Sequence, residues 1–413
     1  MSFMAIIARR LRGFLLFLLV AGLDDLRAQD AANLTLLKDA AQSILAGELD
    51  QAEAQLHMVL LKNPDEFHAL NFLGVIRAQQ QKAGEAEALF KQVIAEKPEF
   101  IGAHLNLGHL YEETKRDDDA ISQFQEAVRL DPTRSDAVAA LVTALRVQAH
   151  AAVESGDSEK ALALLLHARR TSPQDPQIQF EFGMTALQMS LFPDAIEAFG
   201  ESLTLRQDDP DTLYALGRAQ IALSKLPEAK ASFQQFVQLR PGDASGHYAL
   251  GLVLQSLQED VEARRQFEKS AQLQPAQTEA YFQLGLLDLD AKHLQESAGE
   301  FDRVLQRNPK HAGALFGMGR VFFEKRDYPE ATTRFDRAIA VDSSLRQAHY
   351  YLGLTYSRLG RKEDSERELA TASKLEHDEV EQHRVVLKIL DSSDAISPTK
   401  DTLGKKPPPP PNQ

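Results

Sequence analysis

Apolar residues recur along most of the chain at spacings of three and four, as in Leu70, Leu73 and Gly74 or Leu250, Leu254 and Leu257. That spacing lines one face of a helix, so the pattern predicts a long succession of short amphipathic helices. The helices come in pairs because the pattern itself repeats. Gly74 and Gly108 lie 34 residues apart, and after one interruption Gly183, Gly217, Gly251, Gly285, Gly319 and Gly353 keep the same step. Twelve positions after these glycines stands a small residue: Ala86, Ala120, Ala195, Ala229, Ala263, Ser297, Ala331 and Ser365. Four further on comes a large apolar one: Phe90, Phe124, Phe199, Phe233, Phe267, Phe301, Phe335 and Leu369. Pro98, Pro132, Pro241, Pro275 and Pro309 follow eight later, where they cannot continue a helix and so end a repeat.

A glycine inside a helix costs about 0.8–1 kcal/mol relative to alanine. Eight of them in register need a common cause, and close approach is the simplest. Without a Cβ the first helix can lie against its neighbour, with the phenylalanine of the second helix filling the adjacent space.

The pattern resembles the tetratricopeptide repeat family, whose unit is a 34-residue helix-turn-helix. Two repeats lacking the glycine fit by their other markers: 33–66 with Ala52, Leu56 and Pro64, and 135–175 with Ala161, Leu165 and Pro173. Ten repeats then cover 33–379. The resemblance implies an all-α fold, a right-handed superhelical α-solenoid. The family's aromatic near the start of the first helix is weak here, with Leu70, His104, Leu213 or Tyr281 in its place, and Gln207, Ser343 and His377 replace the terminal proline.

Two departures from uniformity stand out. Gly108 and Gly183 are 75 residues apart, so repeat 135–175 carries seven extra residues. Seven residues are two helical turns and rotate the face by only about 20°, so the first helix can run long, from about Asp136 to Ser155. The insertion either joins two subarrays or is a neutral helix extension. The second departure is a column three residues before the glycine: Phe180, Tyr214, Tyr248, Phe282, Phe316 and Tyr350, preceded by Leu37, Asn71, Leu105 and Ala139 in the first four repeats. One turn along the same face follow Met184, Arg218, Leu252, Leu286, Arg320 and Leu354. The resemblance places this column on the concave side. There the twelve residues would form a peptide-binding groove of aromatic and aliphatic side chains with two cations, suited to an extended peptide or an amphipathic helix. The competing reading is that the rings only pack neighbouring helices. The carboxylate clamp of chaperone-binding relatives is absent: Asn106 matches its asparagine, but Asn71, Val75, Asp136 and Ala140 stand where cations are expected.

Composition adds compartment and partners. Arg9, Arg10 and Arg12 precede the apolar run Phe14 to Leu23, the layout of a signal peptide, with cleavage expected after Ala28 and, as the alternative, after Ala21 or Gly22. Ten helical residues rise about 15 Å, short of a bilayer core of about 30 Å, so no integral membrane span is expected once the signal is removed. An uncleaved anchor or a buried cap helix is the alternative for this segment. The chain has a net charge of −14, and loss of residues 1–28 makes it −16, which disfavours nucleic acid as a partner. There is no cysteine. The metalloprotease, phosphate-loop, nucleophile-elbow and EF-hand motifs are all missing, so no cofactor, metal site or catalytic residue is expected. His104 and His109, five apart, diverge by about 140° on a helix, and His104, His247 and His349 occupy equivalent positions better read as packed residues.

The expected organisation is a signal peptide at 1–28, repeats 1–3 over 29–134, the extended repeat 4 at 135–175, repeats 5–10 over 176–379, a capping helix at 380–391, and a disordered Pro-rich tail at 392–413. The tail is either a flexible solubiliser or a docking segment. The expected role is an exported, periplasmic or secreted scaffold that binds protein or peptide partners without catalysis. The alternative is an accessory, substrate-recruiting subunit of a separate envelope enzyme such as a glycosyltransferase or peptidase.

Overall fold

The computed structural model describes residues 31–393. The expected signal peptide lies outside the described residues, as does the tail from 394 onward. Two compact units divide the chain, Met1–Lys225 and Leu226–Gln413. The first holds α1 (Ala31–Ala46), α2 (Leu49–Lys62), α3 (Phe67–Gln79), α4 (Ala83–Glu96), α5 (Ile101–Glu113), α6 (Asp117–Leu130), α7 (Ser135–Glu154), α8 (Ser158–Thr171), α9 (Pro176–Gln188), α10 (Phe192–Leu205) and α11 (Pro210–Ala222). The second holds α12 (Leu226–Leu239), α13 (Ala244–Ser256), α14 (Asp260–Leu273), α15 (Glu279–Asp290), α16 (Leu294–Arg307), α17 (Ala312–Glu324), α18 (Tyr328–Val341), α19 (Arg346–Arg358) and α20 (Lys362–Ser393). The described residues are all-helical outside turns. Each odd-numbered helix is the first of a repeat. Within each unit a first helix packs on its own second helix, which packs on the next first helix, while first helices such as α3 and α5 or α15 and α17 also meet side by side.

The glycine step has the physical cause expected of it. A Cβ on Gly74 would lie 2.5 Å from Cε1 of Phe90, and one on Gly251 2.6 Å from Cε1 of Phe267. Both distances are far inside van der Waals contact, so the ring of the second helix occupies the volume a side chain would need. These rings form the centre of each repeat: Phe124, Phe199, Phe267, Phe301 and Phe335 are all 0% exposed. The two repeats without the glycine solve the same problem by exchanging size. Sixteen residues before Leu56 and Leu165 stand Ala40 and Ala149, and all four are buried. In these two repeats the side chain across the interface shrinks from Phe to Leu and the small residue grows from Gly to Ala, whereas the last repeat keeps Gly353 against Leu369.

The turn inside each repeat is equally regular. Gln81, Lys115, Ser190, Gln258, Lys292 and Arg326 adopt positive φ, as do Gly47, Gly156 and Gly360 at the equivalent place. At repeat 4 the Asp157 N–H donates to Ala152 O (2.8 Å) and the Gly156 N–H to Val153 O (3.0 Å), the closing bonds of a left-handed helix end. Asp157 then caps α8 by accepting from the Lys160 N–H. With φ at +81°, Gly156→Ala should lower stability by about 1 kcal/mol in a chemical denaturation experiment.

All seven extra residues of repeat 4 lengthen one helix: α7 has 20 residues where α5 has 13. Its start keeps the 34-residue step from α5, and its end keeps the register of its own turn at Gly156, so the helix belongs to two registers at once. The cores reflect this. Ala137, Leu141 and Leu145 of α7 lie in the cluster that begins at Leu37, whereas Ala149 lies in the next one with Leu165, Phe182, Ala195 and Phe199. The insertion therefore joins neighbouring cores. The boundary between compact units falls at Lys225, inside repeat 6, instead of at the insertion.

At the far end Pro gives way to His377, and α20 runs on without a break for 32 residues to Ser393. The stretch expected as a separate capping helix, 380–391, is the last part of this helix. Missing prolines do not suffice to cause such a run, because α10 and α18 end at Leu205 and Val341 with Gln207 and Ser343 in the proline position.

Candidate functional site

The aromatic column rises from the first helices, and its rings are held differently in different repeats. Phe180 stands 6.0 Å from Phe199, Tyr248 5.8 Å from Phe267, Phe282 6.0 Å from Phe301 and Phe316 5.9 Å from Phe335, centroid to centroid. Each of these rings thus leans on the central phenylalanine of its own repeat. Phe282 is also wedged against the next repeat, where a Cβ on Gly313 would come within 2.9 Å of its Cζ and the His311 ring lies 4.9 Å away. Phe316 is buried, and Tyr350 is 47% exposed with its ring perpendicular to Tyr351 at 5.6 Å. Phe180, Tyr214, Tyr248 and Phe282 are half-buried. Burial raises the Tyr248 phenol above its ordinary range. Packing is thus part of what these rings do.

The column one turn on is split in the same way. Leu252, Leu286 and Leu354 are half-buried. Arg320 is engaged, 3.6 Å from Asp290 and stacked at 5.5 Å over Tyr351. Met184 and Arg218 are exposed, and they come together. Phe180, Met184 and Arg218 line one cavity of about 580 Å³ in the first unit, closed on one side by Ala149, His150, Val153 and Glu154 of α7. Leu165 of α8 and Phe192 at the start of α10 complete its apolar floor. The elongated helix and the start of the aromatic column, separate features along the chain, thus build one site.

Electrostatics sharpen the site. Burial pushes the Glu181 carboxyl up, but hydrogen bonds from Arg146 and Gln177 and the charge of Arg146 outweigh it, so Glu181 titrates below the usual carboxylate range. Arg146 Nε donates to Glu181 Oε2 at 2.8 Å in a two-pronged contact, and His150 Nε2 lies 3.5 Å from the same oxygen. Arg218 and Glu154, by contrast, have no ion-pair partner among the described residues. A second, shallower groove of about 500 Å³ continues along α7 past Thr143, Val147 and Ala151. Val147 is 62% exposed. With Ala139, these exposed positions recur every four residues, and the opposite face is buried in the two cores. This explains why α7, among the described helices, is long and apolar enough to cross a bilayer by length and composition.

The histidines expected as packed residues are packed, and the contacts that hold them are regular. His104 is held between Gln123 Oε1 and Pro98 O, both 2.9 Å, and His247 and His349 repeat the arrangement against Pro241 O and Ser343 O. Asn106 is buried and donates to Asn71 Oδ1 at 2.9 Å, so it faces its neighbour.

Tetratricopeptide repeat models match residues 46–99, 146–211 and 214–280, another matches 77–145, and a further repeat model of the same kind matches 300–360. The chain belongs to the tetratricopeptide repeat family. Among curated proteins none matches it. Solved structures do resemble it. YrrB, described as a tetratricopeptide repeat protein with an unusual peptide-binding site, is 22% identical, covers 45% of this chain and 95% of its own, and superposes with a TM-score of 0.40. A tetratricopeptide repeat protein from Parabacteroides merdae is 16% identical over 57% of this chain and 93% of its own, with a TM-score of 0.48. A MamA fragment from Desulfovibrio magneticus is 20% identical over 41% of this chain and 96% of its own, with a TM-score of 0.40. The tetratricopeptide repeats here carry their unusual feature in repeats 4–6, where sequence columns alone did not assemble a pocket. Leu165 and Phe192 belong to no groove column, and their periodicity marks them only as second-helix positions.

Proposed function

We propose that this tetratricopeptide repeat protein is an exported scaffold that captures a protein or peptide partner on the faces of its first helices and performs no chemistry itself. The observation that carries the reading is the cavity walled by α7, α9 and α11, which combines an apolar floor, an exposed apolar approach along α7 and an unpaired guanidinium. The exposed apolar side chains Val147 and Met184, on helices bridged by the Arg146–Glu181 pair, support that reading. The export part of the proposal rests on the basic and apolar run before Ala28 and predicts a mature chain beginning at Gln29.

Crosslinking in the native envelope, followed by mass spectrometry of the captured chains, tests the reading. Wild type should yield a reproducible partner. The double variant Val147→Asp/Met184→Asp, which changes exposed positions only, should lose that partner by about tenfold or more while its helical content stays unchanged. Equal capture by the variant would remove the groove from the proposal, and a full-length chain still beginning at Met1 in the cytoplasm would remove export.

A further inference from the structure

The chemistry of the cavity narrows the partner. Its charges are unequal in availability. Glu181 is committed to Arg146, with His150 beside it, so its carboxylate is already neutralised. Arg218, one turn after Tyr214 on α11, reaches the cavity from the opposite wall and makes no ion pair among the described residues. A guanidinium at the rim of an apolar pocket is a two-pronged donor awaiting a planar anion. Glu154, across the cavity on α7, likewise makes no ion pair among the described residues and repels a second negative charge close by. The site thus complements one carboxylate beside an apolar body and disfavours an acidic cluster.

Shape adds the rest. Ala139, Thr143, Val147 and Ala151 present a small, uncharged face to solvent over about 18 Å of α7, leading to the cavity mouth at His150 and Glu154. An α-helix laid along this face passes Arg146, whose charge is already answered by Glu181, and meets an uncommitted charge only at the mouth, where a large side chain can enter over Phe180 and Met184. Resting on the scaffold reading above, we infer that repeats 4–6 form an anchor site for an amphipathic helix of a partner protein, which inserts one large apolar side chain into the cavity and places a single acidic residue, one turn away, on Arg218. Met184 and Leu165 meet the anchor, Arg218 selects the acid, and Glu154 limits the acid to one.

The test uses purified full-length protein and a fluorescein-labelled synthetic amphipathic helix carrying one Phe and, one turn on, one Glu, alongside a matched peptide with Gln in place of Glu. Fluorescence anisotropy should show saturable binding of the Glu peptide and about tenfold weaker binding of the Gln peptide. Arg218→Gln should weaken the Glu peptide by the same factor and leave the Gln peptide unchanged, which is the coupling signature of a direct pair. Met184→Trp, which fills the cavity, should weaken both peptides, and Arg320→Gln in the second unit should weaken neither. Arg218 is exposed, so its variant folds, and that variant decides the matter even where Met184→Trp does not. Glu and Gln peptides binding alike, Arg218→Gln without effect, or no saturable binding would each overturn the anchor site. If crosslinking still yields a groove-dependent partner, such a failure falls on the anchor alone; loss of both results would remove the scaffold reading as well.

Discussion

Phe267→Ala should destabilise the protein by about 3–5 kcal/mol in a denaturant titration, the largest effect expected of any single substitution in the array. The ring is 0% exposed, sits where a Cβ of Gly251 would be at 2.6 Å, and supports Tyr248 at 5.8 Å. Removing it opens a cavity that the flanking helices cannot close, because each is held by further repeats. The effect should be local in origin, since every repeat touches mainly its neighbours. Hydrogen exchange should therefore rise first in α13 and α14.

The same pair allows a sharper result. Gly251→Ala gains helix propensity but forces a methyl group into the ring, a net loss of about 1–2 kcal/mol. Phe267→Leu alone leaves a void and loses about 1–2 kcal/mol. Together they reproduce the Ala149 and Leu165 pair of repeat 4, so the double variant should be more stable than the sum of its parts by about 1–2 kcal/mol. Strict additivity would show that glycine and phenylalanine do not share one volume.

That size exchange bears on what could be read along the chain. The repeat register was legible because one packing problem, a helix passing close to a bulky ring, recurs every 34 residues with the same answer. The cavity was legible only in outline. Phe180, Met184 and Arg218 lie in columns that register exposes, but Leu165 and Phe192 enter from second helices whose periodicity marks them as core and nothing more. The wedge of Phe282 against Gly313 was hidden too, because Gly313 belongs to no repeated column. Nor did the insertion reveal what it would do: an in-register extension can separate two arrays or tie their cores together, and only the placement of Ala149 beside Leu165 and Phe182 decides for the second.

Arg146→Met should cost about 1–3 kcal/mol at neutral pH, and the loss should shrink as the pH falls. In the wild type Glu181 is 10% exposed, and its pKa is depressed chiefly because Arg146 overcomes the burial that would raise it. A depressed carboxylate contributes stability above its unfolded pKa of about 4.3 and loses it as the pH drops through the lower folded value. Without Arg146 the sign reverses. Burial, the largest single influence, is then opposed only by the Gln177 hydrogen bond and the His150 charge and raises Glu181, so its charge opposes folding at neutral pH and the penalty is relieved once the pH falls through the raised value and the carboxyl takes up a proton. The two stability curves should accordingly lie furthest apart near pH 7 and converge toward pH 4, measured by urea denaturation across that range. Arg146→Met/Glu181→Gln should recover most of the loss and remove its pH dependence, because a neutral amide in this place needs no counter-charge. A gap of constant size from pH 7 to pH 4 would mean that Arg146 acts through the packing of its aliphatic stem and that the cavity wall does not depend on the ion pair.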